Sequence, residues 1–105
     1  MKIAIAATNK EKSAQISDQG GRAPYYLIFD EKGILLEKIK NPFAVGGGGA
    51  GFAVAKMMQN KNVDIVVAGT IGEKMAKALE ERKIKWYVKK GIASQIIQEI
   101  KSNAK

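Results

Sequence analysis

Cysteine and histidine are both absent from these 105 residues. Without cysteine there is no disulfide, no thiolate-bound metal and no iron–sulfur cluster held through protein sulfur. Without histidine the commonest neutral metal ligand and general base is missing too. Arginine is scarce: of the 18 basic residues only Arg22 and Arg82 are arginine, so few side chains can grip a phosphate or carboxylate in bidentate fashion. Long hydrophobic runs are lacking as well. Nothing approaches the ~18 uninterrupted apolar residues of a membrane span, and residues 1–7 are far too short for a signal peptide. A cytoplasmic location with no membrane partner is the expectation.

What is present describes an ordinary globular chain, 46% hydrophobic and 27% charged. Its length suits one domain spanning 1–105, with a real core. The net charge of +8 is the one imbalance. A basic excess can mark a nucleic-acid binder, which gains affinity by releasing counterions. Here the lysines are scattered through every segment, with no run longer than Lys89-Lys90. A solvated lysine-rich surface is the plainer reading, and its field favours anionic ligands.

The most unusual stretch is Gly46-Gly47-Gly48-Gly49-Ala50-Gly51, followed at once by the apolar run Phe52-Ala53-Val54-Ala55-Lys56-Met57-Met58. Each glycine costs backbone entropy on folding, so a cluster at the mouth of a helix needs a reason. One reason is an anion site, because the first amides of a helix lack intrahelical partners and its dipole is positive there. The other is a flexible connection between strand and helix.

In chain order, 2–7 reads as a buried strand with Ile3 and Ile5 on one face and small alanines on the other, leaving room for helices on both faces. It ends at Thr8-Asn9, and a solvated segment follows. Residues 25–30 and 34–40 read as an antiparallel hairpin through Glu31-Lys32-Gly33, with the apolar residues of the second strand inclining to one side. Helices are expected over 50–60, 73–82 and 92–101, the second burying Met75, Ala76 and Leu79. Strands are expected over 63–68 and 84–88, and residues 102–105 should fray.

The order βββαβαβα predicts a mixed five-stranded sheet in spatial order 3-2-1-4-5, the second strand antiparallel, between helical layers. Two helical connections leaving the seam of the first and fourth strands in opposite directions would make a switch point, where ligands bind at the carboxyl ends of strands. Thr8, Asn9, Gly69-Thr70-Ile71-Gly72 and the glycine stretch should meet there, with Lys89-Lys90-Gly91 near. Arg22 is either a clamp over that edge or an ordinary surface ion pair. Thr70 is either part of the site or a cap for the second helix.

Several chemistries are excluded. Gly46, Gly48 and Gly51 spell G-x-G-x-x-G, but the preceding strand belongs to a hairpin and no acidic residue ends the next strand. No Lys-Ser or Lys-Thr follows the glycines, so the phosphate-loop pattern fails. A two-metal nuclease would need carboxylates clustered on the first and fourth strands. Asp18, Asp30, Asp64 and Glu73 are not spaced to supply them, and no nucleophile–base pair is visible. The chain is read as non-catalytic.

Taken in order, Gly21-Arg22-Ala23-Pro24-Tyr25-Tyr26, Asn41-Pro42, Gly47-Gly48-Gly49-Ala50-Gly51, Val63-Asp64, Gly69-Thr70-Ile71-Gly72 and Ile84-Lys85-Trp86-Tyr87 resemble the successive motifs of the dinitrogenase iron-molybdenum cofactor biosynthesis family. That family includes NifX, NifY and the C-terminal domain of NifB, and the resemblance covers nearly the whole chain. It implies a ribonuclease H-like three-layer α/β/α fold without nuclease activity. It further implies binding or carriage of an iron–sulfur-type (iron-molybdenum cofactor-like) cluster or its precursor, and cofactor-assembly proteins as partners. Where relatives carry histidines, this chain has Gln19, Phe43 and Val45. The resemblance then leaves an anionic cluster or its organic acid held without histidine or cysteine, by the amides of Gly46 to Gly51 and by Arg22. With the turns expected to converge at the sheet edge, the candidate cofactor-binding residues are Thr8, Asn9, Gln19, Arg22, Gly46, Gly47, Gly48, Gly49, Gly51, Thr70 and Gly72. The alternatives are a phosphate- or nucleotide-binding regulatory module using the same loop, and a weak nucleic-acid binder.

Overall fold

The computed structural model describes residues 1–46 and 48–103, without the side chains of Ser102 and Asn103. Five strands form one sheet in the order β3-β2-β1-β4-β5. They are β1 (Lys2–Ala7), β2 (Tyr25–Asp30), β3 (Leu35–Lys40), β4 (Ile65–Ala68) and β5 (Lys85–Val88). β2 runs antiparallel to both β1 and β3, whereas β1, β4 and β5 are mutually parallel, as the element order predicted. The helices are α1 (Ala50–Asn60), α2 (Glu73–Glu81) and α3 (Ala93–Asn103). Ser102 and Asn103 continue α3 instead of fraying, while residues 104 and 105 lie outside the description.

Strand alternation builds two cores. Ala4, Ala6, Tyr26, Ile28 and Val66 face α1 and α2, packing with Val54, Met58, Met75 and Leu79. Ile3, Ile5, Leu27, Phe29 and Val67 face α3, packing with Ile96, Ile97 and Ile100. The small side of β1 thus takes two helices, and the branched side takes one. In α2 the buried stripe is Met75, Ala78 and Leu79, so Ala78 replaces the expected Ala76.

α1 and α2 share one face, contrary to the expected divergence at the β1/β4 seam. The strand directions explain this. β3 to β4 and β4 to β5 both connect parallel strands while moving the same way across the sheet. Right-handed crossovers then place both helices on the same side. Only α3, after the last strand, turns back to cover the other.

The hairpin's outer strand also departs from expectation. Ile28 pairs with Glu37 but Phe29 pairs with Leu35, leaving Leu36 as an extra residue in a bulge. Ile34 and Leu36 are 56% and 50% exposed, and within β3 only Ile39 is buried. An edge strand with a bulge has no layer to bury a full apolar face against.

Asp30 accepts the Lys32 and Ile34 amides at 2.8 and 2.9 Å and so ties the hairpin turn. The Ile34 amide, foremost, holds its carboxyl below the ordinary value. A depressed folded-state pKa adds stability that is complete above the unfolded carboxylate value, about 3.9, and is lost as pH falls through the folded one. Urea unfolding of the Asp30→Asn variant should accordingly lose less stability than the parent between neutral pH and acid.

Glycine packing supplies a second test. A Cβ on Gly69 would lie 2.7 Å from the Asp18 Cα and 2.9 Å from the Ser17 carbonyl oxygen, both backbone atoms that cannot step aside. Gly69→Ala should cost about 1–3 kcal/mol, seen as a lowered thermal midpoint. Gly48→Ala, where a Cβ meets nothing within 4 Å, should leave the midpoint near the parent's.

Candidate functional site

The carboxyl tips of β1 and β4 are not an open crevice. Residues 15–20 run across them. The Ser17 amide donates to the Ala6 carbonyl at 2.9 Å, and the Gly69 amide donates to the Ser17 carbonyl at 2.8 Å. Gly20 donates to the Thr70 carbonyl at 3.0 Å, and the Thr70 hydroxyl donates to the Asp18 carbonyl. Buried Tyr26 donates its hydroxyl to the Gly20 carbonyl, and burial pushes that hydroxyl's pKa up.

Beyond this plug the chain is laced to the segment after β3 by Asn41, only 4% exposed. Its amide nitrogen donates to the carbonyls of Gly21 and Ala23 at 3.1 and 2.9 Å, and its oxygen accepts the Phe43 amide at 3.0 Å. Arg22 is thereby held beside Phe43, Val45 and Gly46, and its Nη1 donates to the Phe43 carbonyl at 3.2 Å.

Gly46 and Gly49 then take φ of 133° and 89°, a region closed to most side chains. Gly49 is the N-cap of α1, with no side-chain cap and no acidic residue in the first turn. The positive end of this helix is therefore not neutralised by a carboxylate of its own.

A pocket of about 150 Å³ lies here, lined by Arg22, Phe43, Val45 and the backbone of Gly46, Gly48 and Gly49. It adjoins a hollow of about 560 Å³ along α1, the two sharing Phe43 and Ala53. Phe52, Met57 and the basic Lys56 and Lys61 line the larger hollow. Lys61 is paired with Glu37 at 2.7 Å, and the Arg82 guanidinium stands 4.9 Å from the Phe52 ring centroid. Val45 is 90% exposed. A guanidinium, glycine backbone and apolar side chains together suit an anion with some apolar or polarisable body.

The expected site residues divide. Arg22, Gly46, Gly48 and Gly49 come together around the pocket, while Gly47 lies outside the described residues. Gly51 turns inward: a Cβ there would meet the Met75 Cβ at 2.7 Å, so this glycine serves the contact of α1 with α2. Thr70 belongs to the plug and does not cap α2, whose N-cap is Gly72 with no side-chain bond. Gln19 is exposed and offers its carbonyl to the Ser17 hydroxyl at 3.5 Å. Thr8 and Asn9 open the loop whose later residues Lys12 and Ala14 accept amides from the start of α3. Asn9 accepts the Glu11 amide at 2.8 Å, a local turn. The Lys89-Lys90-Gly91 turn reaches the plug through Gly91, whose carbonyl accepts the Ile16 amide at 2.8 Å.

Asn41, Phe43, Phe52 and Lys56 were missed as site builders. The Asn41-Pro42 pair was a legible signal, since a polar side chain before proline at a strand end commonly bonds the backbone around it.

Among the described residues no three His, Cys, Asp or Glu side chains gather to hold a metal ion, and no helix is long and apolar enough to cross a membrane. No curated protein sequence matches the chain. Solved structures do. The orange protein from Desulfovibrio gigas, in its apo form, is 22% identical with a TM-score of 0.90, covering 97% of this chain and 88% of that one. A NifB-like protein from Thermotoga is 25% identical with a TM-score of 0.81, covering 96% and 87%. PH0822 is 19% identical with a TM-score of 0.82, covering 98% and 92%. The profile described as dinitrogenase iron-molybdenum cofactor matches residues 1–103, and the chain belongs to that family.

Proposed function

We propose that this chain is a single-domain, non-catalytic, cytoplasmic binding protein that carries an anionic cargo of the iron–sulfur type, or its precursor, among cofactor-assembly proteins. In this reading the sheet is a ribonuclease H-like framework whose catalytic carboxylates have no counterpart here. The observation that carries the proposal is the pocket at the head of α1, which Arg22 and the glycine backbone line together. Membership of the iron-molybdenum cofactor family makes a metal cluster the leading cargo.

The chain has no thiolate or imidazole with which to ligate iron. The donors that fit are peripheral: amides of the first turn of α1 toward sulfide or carboxylate, and the Arg22 guanidinium toward negative charge. Apolar Phe43 and Val45 would exclude water from one side of the cargo. The cluster would keep ligands of its own, and the protein would supply charge, shape and shielding.

The test is an anaerobic titration with a soluble thiolate-ligated iron–sulfur cluster, run beside ATP and inorganic phosphate, with metal analysis of protein isolated without oxygen. Saturable cluster binding should weaken by about tenfold or more, equivalent to ~1.4 kcal/mol, in Gly48→Leu and in Arg22→Gln. Gly48→Leu should keep the parent's thermal midpoint, because a Cβ there meets nothing within 4 Å. Cluster binding unchanged in both variants would remove the site from this pocket. Saturable nucleotide or phosphate binding with none of the cluster would replace the cargo with a phosphate ligand.

A further inference from the structure

We infer that the open edge of β5 is a docking strand for an extended acidic segment of a partner protein. β5 pairs with β4 on one side only. The Lys85 and Lys89 amides donate inward to the Asp64 and Ala68 carbonyls, each at 3.0 Å. By strand alternation the amides and carbonyls of Trp86 and Val88 point outward, away from β4. The edge is uncovered, with Tyr87 and Val88 42% and 49% exposed. A hollow of about 430 Å³ beside the strand, lined by Lys83, Lys85, Trp86 and Tyr87 among others, offers room for an incoming side chain. Adding a strand to such an edge gives main-chain hydrogen bonds for affinity and side-chain pockets for specificity.

Charge selects the occupant. Exposed Lys83, Lys85 and Lys90 flank the edge, while Lys89 is paired with Glu99 at 3.1 Å and Glu80 accepts from the Trp86 indole at 3.3 Å. A second copy docked antiparallel must set outward-facing residues opposite one another, and with Trp86 opposite Val88 that register places Lys85 opposite Lys89 at both ends; like charges in cross-strand pairs are destabilising. Lysines on an edge discourage self-pairing for the same reason. An acidic strand meets the same lysines favourably. The opposite edge is less suited, because its bulge interrupts the ladder at Leu36. This surface is separate from the pocket at α1 and does not depend on the cargo assigned there.

The probe is a short synthetic peptide alternating glutamate with valine, and its counterpart with lysine for glutamate, titrated at low salt and followed by amide NMR. The acidic peptide should bind and slow hydrogen exchange at Trp86 and Val88, whereas the basic one should not. Val88→Pro removes an outward amide and leaves the ladder to β4 intact. It should weaken binding by about tenfold or more, as should Lys85→Glu combined with Lys90→Glu, which leaves the backbone untouched. No binding of the acidic peptide at millimolar concentration overturns the inference. So does binding that neither variant alters, or a self-associated dimer broken by Val88→Pro, which would give the edge to a second copy.

Discussion

The arrangement around the candidate site depends on how the backbone of residues 15–23 satisfies its polar groups while crossing the tips of the sheet. Buried carbonyls and amides must be paired, since an orphan costs about 1–3 kcal/mol. Ser17 bonds to Ala6 and Gly69, Gly20 to Thr70, and the Asp18, Gly20, Gly21 and Ala23 carbonyls accept from Thr70, Tyr26 and Asn41. Three side chains from three different parts of the chain thus hold one loop. Close approach of backbones leaves no room for a side chain at Gly69 and very little at Gly21, where a Cβ would lie 3.0 Å from the Gly51 amide nitrogen. Arg22 rides on this loop, so its position beside the glycine segment follows from hydrogen bonds several residues away.

Topology then decides which face can carry a site. Because both crossovers move the same way across the sheet, α1 and α2 pack together over the alanine face of β1, and the contact needs Gly51 to admit Met75. The crevice of a doubly wound sheet lies between helices leaving on opposite faces. Here that geometry does not arise, and the plug closes the seam. The pocket lined by Arg22 lies away from that seam, between the segment after β3 and the start of α1. Glycines at 46, 48 and 49 matter there through conformation and through the backbone they expose, while those at 51 and 69 matter through packing.

Much of this was legible in the sequence. Alternating Ile3-Ala4-Ile5-Ala6 identified a central strand with unequal faces, and the βββαβαβα order constrained the sheet to 3-2-1-4-5 through general rules of connection. The helix starts at Ala50 and Glu73 were marked by glycine, and the parallel run beginning at Ile65 by β-branched residues. Local pattern failed where long-range pairing decides. Residues 15–20 have no periodicity of their own, since their partners are Ala6, Gly69 and Gly91, far off in sequence. Thr70 looked like a helix cap because capping is a local rule, yet its hydroxyl is taken by a carbonyl on another loop. Gly51 looked like its neighbours in the glycine stretch, and only the approach of α2 separates its role from theirs.

The absence of histidine and cysteine shapes what kind of binding the proposed pocket can support. Thiolate or imidazole ligation makes metal retention strong and couples it to protonation of the ligand. Contacts from amides, a guanidinium and apolar side chains to the periphery of an anion carry no such coupling, and each is worth far less than a metal–ligand bond. On the proposed reading, affinity comes from accumulated weak terms: the α1 dipole, Arg22 and the basic surroundings of Lys56. Such a holder would exchange its cargo readily and favour it by charge and shape over metal identity. That behaviour suits transfer between proteins better than permanent residence. On the same reading, docking of an acidic donor or acceptor at the lysine-flanked edge of β5 would leave the pocket uncovered, because that pocket and the hollow beside β5 share no lining residue.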